Sequence, residues 1–118
     1  MNEGMRIANQ RNGRVLAENA EVAGSFPARL VGLIRRRTFP KGSALVIPGC
    51  RQVHTFLMRF PIDVLFSDAQ NRVVRIAECV RPCRVTGYCR SAARAIELPA
   101  GTVSSCGVAV GDTLRFLD

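Results

Sequence analysis

The fold is decided by the stretch His54-Thr55-Phe56-Leu57-Met58-Arg59-Phe60-Pro61-Ile62-Asp63-Val64-Leu65-Phe66. It is the longest mostly apolar run of the chain, and it contains the only histidine. Proline cannot donate a hydrogen bond to a β-ladder, so Pro61 belongs at the start of a strand, at an edge or at a bulge. We therefore expect two strands, 53–58 and 62–66, that meet at a corner bent by Pro61.

Short strands and tight turns are also expected through the rest of the chain. Asn12-Gly13 is a strong signal for a two-residue turn, because both residues can adopt positive φ, and it predicts a two-stranded hairpin over 5–23. Helices are predicted over 25–37, where Ser25 can cap the first turn, and over 99–107. The other predicted strands are 44–47, 72–80, 92–98 and 113–117. The chain is therefore expected to be mainly β, with about two short helices.

The composition bounds the class of protein. With 118 residues, of which 47% are hydrophobic and 22% charged, the chain is expected to form one domain, 1–118, around a single core. No run approaches the roughly 20 apolar residues that span a bilayer, and residues 1–24 lack the apolar core of a secretion signal. We therefore expect a cytoplasmic protein without a membrane partner. Its five cysteines are then expected to be reduced thiols.

The charge raises the question of a nucleic-acid partner. The formal net charge is +8, most of the basic residues are arginines, and the pI is near 10.6. Such a balance supports weak affinity for phosphates through counterion release, although it also serves solubility alone. The basic residues are spread along the chain apart from 35–37, and one tyrosine with no tryptophan is few for a stacking platform. Nucleic acid is therefore the alternative rather than the first expectation.

Four motifs, in order along the chain, resemble domain-of-unknown-function family 192. They are Arg29-Leu30-Val31-Gly32-Leu33, the stretch from His54 to Asp68, Glu97-Leu98-Pro99-Ala100-Gly101-Thr102, and Gly107-Val108-Ala109-Val110-Gly111-Asp112. The resemblance extends over about 29–116. It implies a compact β-sandwich or distorted barrel of a kind found in bacteria and archaea, and it implies no established activity. Gln70-Asn71 stands where family members usually have a glycine-type turn, a departure that concerns a turn and leaves the fold expectation intact.

The candidate ligand-binding site lies around the proline corner and consists of Arg29, His54, Met58, Arg59 and Asp63. Asp63 is flanked by apolar residues, where an unpaired buried carboxylate would cost several kcal/mol. It must therefore reach solvent, pair with an arginine or accept backbone N–H groups. Arg29 and Arg59 are the expected partners, because a guanidinium can bind a carboxylate through two hydrogen bonds. Met58 is expected to fill core volume.

Three functions are open for this site. The first is a non-enzymatic domain that binds an anionic small molecule or a peptide segment in a polar pocket. The second is a basic nucleic-acid-binding module, and the third is an enzyme in which Asp63 or His54 acts as the acid–base group. A single histidine without a partner at ligand spacing argues against a metal site. No cofactor is expected, since the cysteines do not match redox or zinc motifs and no phosphate-binding glycine loop is present.

Overall fold

The structure, a computed structural model, describes residues 5–23 and 38–118. Its elements are β1 (Arg6–Asn9), β2 (Val15–Ala17), β3 (Asn19–Val22), β4 (Ser43–Pro48), β5 (Ile62–Ser67), β6 (Val73–Val80), β7 (Arg94–Pro99), α1 (Thr102–Cys106) and β8 (Leu114–Leu117). The expectation of a mainly β chain is confirmed. The helix predicted over 25–37 lies outside the described residues.

The strands form two sheets. The smaller sheet has the order β2-β1-β8 and is antiparallel. The larger has the order β3-β4-β7-β5-β6, and only the pair of β3 and β4 is parallel. As far as the described strands go, neither sheet closes on itself. Of the two architectures that the resemblance implied, the sandwich is therefore the one present.

The core has two layers, because both faces of the five-stranded sheet are covered. An inner cluster between the two sheets contains Ile7 from β1, Leu65 from β5 and Ile96 from β7. An outer cluster covers the opposite face of the larger sheet and includes Ile62, Val64 and Phe66 of β5 together with Val53 and Met58. Side chains alternate along a strand, so the even-numbered residues of β5 face the outer cluster and the odd-numbered residues face the inner one. All six residues of β5 are buried.

The predicted hairpin over 5–23 is right at its start and wrong at its end. β1 and β2 pair as expected, but β3 leaves that sheet and pairs with β4 in the larger one. The backbone N–H groups of Glu18 and Asn19 both donate to the carbonyl of Gly42, which ties the chain to the second sheet at this point. The turn is also longer than two residues. Gly13 has the expected positive φ of 72°, but the Asn12 side chain accepts from the Arg14 N–H and donates to the Cys106 carbonyl.

The strand predicted over 53–58 is not formed. Only His54 makes an isolated bridge, to Val85, and the chain then turns, with the Met58 N–H donating to the Thr55 carbonyl at 3.3 Å. Leu57, inside this turn, has a φ of 67°, which an extended strand cannot contain. By contrast β6, β7 and β8 and the short helix before Gly107 lie where the sequence predicted them; Gly107 has the expected left-handed φ of 66°.

Candidate functional site

Two segments without regular strands, 49–61 and 81–93, run antiparallel to each other across the outer face of the larger sheet. We call them the loop pair. Four backbone hydrogen bonds of 2.8–2.9 Å join them: Gly49 N–H to Ala93 O, Cys89 N–H to Arg51 O, Thr86 N–H to Val53 O, and Thr55 N–H to Arg84 O. Val53, Met58, Cys89 and Ala92 point from the loop pair into the outer cluster. The loop pair is therefore a packed layer of the domain rather than a loose connection.

Thr55 fastens the two segments at the proline corner. Thr55 has no exposed surface. Its O–H group donates to the carbonyl of Arg81, and the oxygen of the same hydroxyl accepts the N–H of Arg84 at 2.9 Å. Its own carbonyl accepts the Cys83 N–H at 3.0 Å. The hydroxyl thus stands between the two backbone groups that an ordinary β-turn over 81–84 would join to each other. Sequence reasoning gave Thr55 no role, because its partners lie 26 and 29 residues away.

Next to the hydrogen bonds of Thr55, the loop pair exposes apolar side chains. Phe56 is 46% exposed, Leu57 75% and Val85 51%; we call these three residues the apolar tip. The His54 ring stacks on Phe56 with the ring centroids 5.1 Å apart, and its Nδ1 accepts the Phe56 N–H. His54 is itself exposed. It therefore supports the apolar tip from one side.

The charged residues of the loop pair are all basic. Neither segment contains an Asp or Glu, and together they contain five exposed arginines: Arg51, Arg59, Arg81, Arg84 and Arg90. Arg51 Nε donates to the Ala92 carbonyl and Arg84 Nη1 to the Cys83 carbonyl, and both of these acceptors are neutral backbone groups. Within residues 5–23 and 38–118, no acidic side chain forms an ion pair with any of the five. The described acidic residues therefore leave the charge of this surface unpaired.

The carboxylate of Asp63 binds backbone N–H groups. It has no exposed surface, and its carboxylate accepts the N–H groups of Cys79 at 2.9 Å, Gly101 at 3.1 Å and Val103 at 2.9 Å. Cys79 lies at the irregular end of the β5–β6 pairing and has a φ of 50°, and the other two donors open α1. Among the described arginines none pairs with Asp63, so the third of the expected alternatives applies. The carboxylate joins the β6 bulge to the start of α1.

The structure separates the predicted site residues into two groups. His54 and Arg59 are exposed on the loop pair, and Met58 lies just beneath them in the outer cluster with 8% exposure. Asp63 points to the opposite face of the sheet, toward α1. Arg29 lies outside the described residues. The described part of the predicted site is therefore a surface around His54 and Arg59, with Asp63 on the other side of β5.

A second buried carboxyl group was missed by the sequence reasoning. Glu97 of β7 is only 6% exposed and stands between Leu45 of β4 and Val64 of β5 in the register of the sheet. No described side chain or backbone group makes a hydrogen bond to its carboxylate. Loss of hydration on burial raises its pKa to about 7. The signal in the sequence was an acidic residue whose neighbours on both sides, Ile96 and Leu98, are apolar.

The other features of the described residues that bear on function concern metal binding, membrane spans, disulfides and ligand clefts. No group of three or more His, Cys, Asp or Glu side chains is placed to hold a metal ion, and no helix there is long and apolar enough to cross a membrane. The described cysteines are free thiols. An open cleft of about 300 Å³ lies between β2, Lys41 and α1, and none of the four predicted site residues that the structure describes lines it.

The fold and this surface define a small β-sandwich domain whose loop pair exposes arginines and apolar side chains. The model of domain-of-unknown-function family 192, described as "Uncharacterized ACR, COG1430", matches residues 7–116, and the chain belongs to this family. A UPF0127 protein of Thermococcus gammatolerans is 30% identical over 114 residues, which are 93% of this chain and 74% of that protein. The match begins before residue 29, so the first hairpin is part of the family domain.

Two solved structures are similar to this chain. One, from Sinorhizobium meliloti, is described as a "putative transcription regulator"; it has a TM-score of 0.82 and 26% identity, with 95% of this chain and 91% of that chain covered. The other, from Novosphingobium aromaticivorans, is a protein of unknown function with a TM-score of 0.80 and 17% identity, with 94% and 82% covered. The second likeness concerns the fold alone.

Proposed function

We propose that this chain is a non-enzymatic binding domain that recognises an anionic ligand through the arginines of the loop pair. The observation that carries the proposal is the charge of that surface, five exposed arginines on two segments without an acidic residue. Guanidinium groups suit this role because they stay charged and present several donors to carboxylate or phosphate oxygens. His54 and Arg59 of the predicted site belong to this surface.

The position of Asp63 favours binding over catalysis. A general base must be able to reach a proton of the substrate, and the Asp63 carboxylate already accepts three backbone N–H groups on the far side of β5. His54 has one nitrogen occupied by the Phe56 N–H. No acidic side chain of the described residues stands behind it as an orienting partner, which acid–base histidines normally have.

The test is a comparison of two doubly substituted proteins. Arg59→Ala with Arg81→Ala removes two charges from the loop pair, and Arg6→Ala with Arg115→Ala removes two exposed charges from the three-stranded sheet. The probes are fluorescein-labelled polyglutamate and oligothymidylate, measured by fluorescence anisotropy at low salt. Two exposed charge contacts contribute about 0.4–2 kcal/mol, so we expect the first protein to bind about 2- to 30-fold more weakly.

The control protein keeps the affinity of the wild type if the loop pair is the binding surface. Equal weakening in both proteins would show that only the net charge matters, and absence of binding to both probes at low salt would also overturn the proposal. Nucleic acid is the alternative anion, because the similar Sinorhizobium meliloti protein is described as a "putative transcription regulator". A preference for oligothymidylate over polyglutamate would favour it.

A further inference from the structure

We infer that the anionic ligand is an acidic segment of another protein, and that an apolar side chain of this segment packs against the apolar tip of Phe56, Leu57 and Val85. The inference rests on the proposed function and specifies its partner. It starts from Leu57, which is 75% exposed and has a φ of 67°. Such a backbone conformation favours glycine or asparagine, so a leucine there is strained.

The side chain of Leu57 stabilises the fold little, so it does not offset the strain of its backbone. The turn from Thr55 to Met58 needs a residue with positive φ in its third position, and glycine would meet this need without a Cβ. The leucine side chain points away from the core, since three quarters of its surface is open to solvent. Strained backbone that the fold does not require is found at ligand-binding sites. The position of Leu57 is therefore explained by contact with a partner.

The tip is also held in place before any partner arrives. Thr55 joins it to the turn over 81–84 through its hydroxyl and both backbone groups, and the His54 ring covers one side of Phe56. A surface that is already ordered loses less conformational entropy on binding. Exposed aromatic and aliphatic groups surrounded by polar residues are the usual composition of a protein-binding surface.

The arginines determine the charge of the partner. Arg59 follows the tip by two residues, and Arg81 and Arg84 flank the turn to which Thr55 is bonded. An acidic segment would meet positive charge around the apolar contact, which gives both orientation and faster association. Single-stranded nucleic acid fits the tip less well. Leu57 and Val85 offer no ring for a base to stack on, and one face of Phe56 is already covered.

The experiment compares two acidic peptides of equal charge on the full chain. One consists of glutamates with two interspersed leucines, and the other has serine in place of each leucine. We expect the leucine peptide to bind about tenfold more tightly, since burial of one aliphatic side chain supplies roughly that factor. The advantage should disappear in Leu57→Gly and remain in Val110→Gly, a matched control because Val110 is also exposed (61%) and lies outside the loop pair.

A thermal melt separates binding from folding. Leu57→Gly should melt at the temperature of the wild type or above it, because glycine relieves the positive φ. Val85→Ser provides a second variant that leaves the Leu57 turn unchanged, and it too should reduce the advantage of the leucine peptide.

Equal affinity of the two peptides for the wild type, with binding still weakened in the Arg59/Arg81 variant, would leave the proposed function standing and overturn this inference. Tighter binding of oligothymidylate than of either peptide would overturn it in favour of nucleic acid. Absence of binding to all three probes would overturn both proposals.

Discussion

Replacement of Glu97 by glutamine should change how the stability of this domain depends on pH. The carboxyl group is 6% exposed in the middle strand of the larger sheet, and its pKa is raised from 4.5 to about 7 by the loss of hydration. The folded protein therefore holds a proton between these two values that the unfolded chain has already released. By linkage, the free energy of unfolding must fall as the pH rises from about 4.5 to about 7, and it stays low above that range.

The size of the effect follows from the shift. Each pKa unit corresponds to about 1.4 kcal/mol, so the change from 4.5 to about 7 amounts to about 3 kcal/mol at most. Glutamine keeps the shape and polarity of the protonated side chain but cannot ionise. Glu97→Gln should therefore match the wild type near pH 4.5 and be more stable by up to about 3 kcal/mol near pH 8.

Urea unfolding followed by circular dichroism, at a series of pH values between these limits, measures the difference directly. Glu78→Gln is the control, since Glu78 lies exposed on β6 and its replacement should leave the pH profile of the wild type unchanged. If wild type and Glu97→Gln showed the same profile, the ionised carboxylate would have to be stabilised in the folded protein. Loss of hydration would then not control the ionisation of Glu97.

Three further predictions concern residues that join distant segments. Thr55→Val should lower the free energy of unfolding by about 2–3 kcal/mol, because Arg84 N–H and the Arg81 carbonyl lose their partner, whereas Thr55→Ser should cost less than about 1 kcal/mol; urea melts of both variants decide this. Asp63→Asn should cost about 2–4 kcal/mol, since an amide cannot accept all three N–H groups that the carboxylate binds. A melt unchanged from the wild type would return Asp63 to the list of catalytic candidates. Asp112 has a pKa lowered to about 2, mainly by its hydrogen bond from Arg11. The wild type should therefore lose about 1–2 kcal/mol as the pH falls from about 4 to 2, and Asp112→Asn should lack this loss in an acid titration of the urea midpoint.

The sequence predicts those elements whose cause is local. β5 and β6 follow from apolar and β-branched residues on both sides of a turn, and α1 ends where Gly107 takes its left-handed conformation. The sequence also predicts that Asp63 and Leu65 face the opposite side of the sheet from the even-numbered residues of β5, because side chains alternate along any strand. These features need no knowledge of what the strands pack against.

The missed features depend on contacts between distant residues. The stretch 53–58 has the composition of a strand, but the Thr55 hydroxyl finds its partners 26 and 29 residues further along, and the chain turns there. Arg59 was expected to pair with Asp63, yet the donors that the structure shows lie 16 to 40 residues away and belong to the backbone. Arg29, the other expected partner, lies outside the described residues. The burial of Glu97 depends on segments that cover the outer face of the sheet. No local pattern contains this information.

These contacts also show which residues have a role in folding and which do not. Asp63, Asp112 and Thr55 are accounted for by folding alone, because each satisfies backbone or side-chain groups that would otherwise be left unpaired. Leu57 is not accounted for in this way. Its left-handed backbone costs about 1–2 kcal/mol relative to glycine, and its exposed side chain recovers little of that by burial. This uncompensated cost, on an arginine-rich segment pair without acidic residues, is the reason for our proposal that Leu57 contacts a partner.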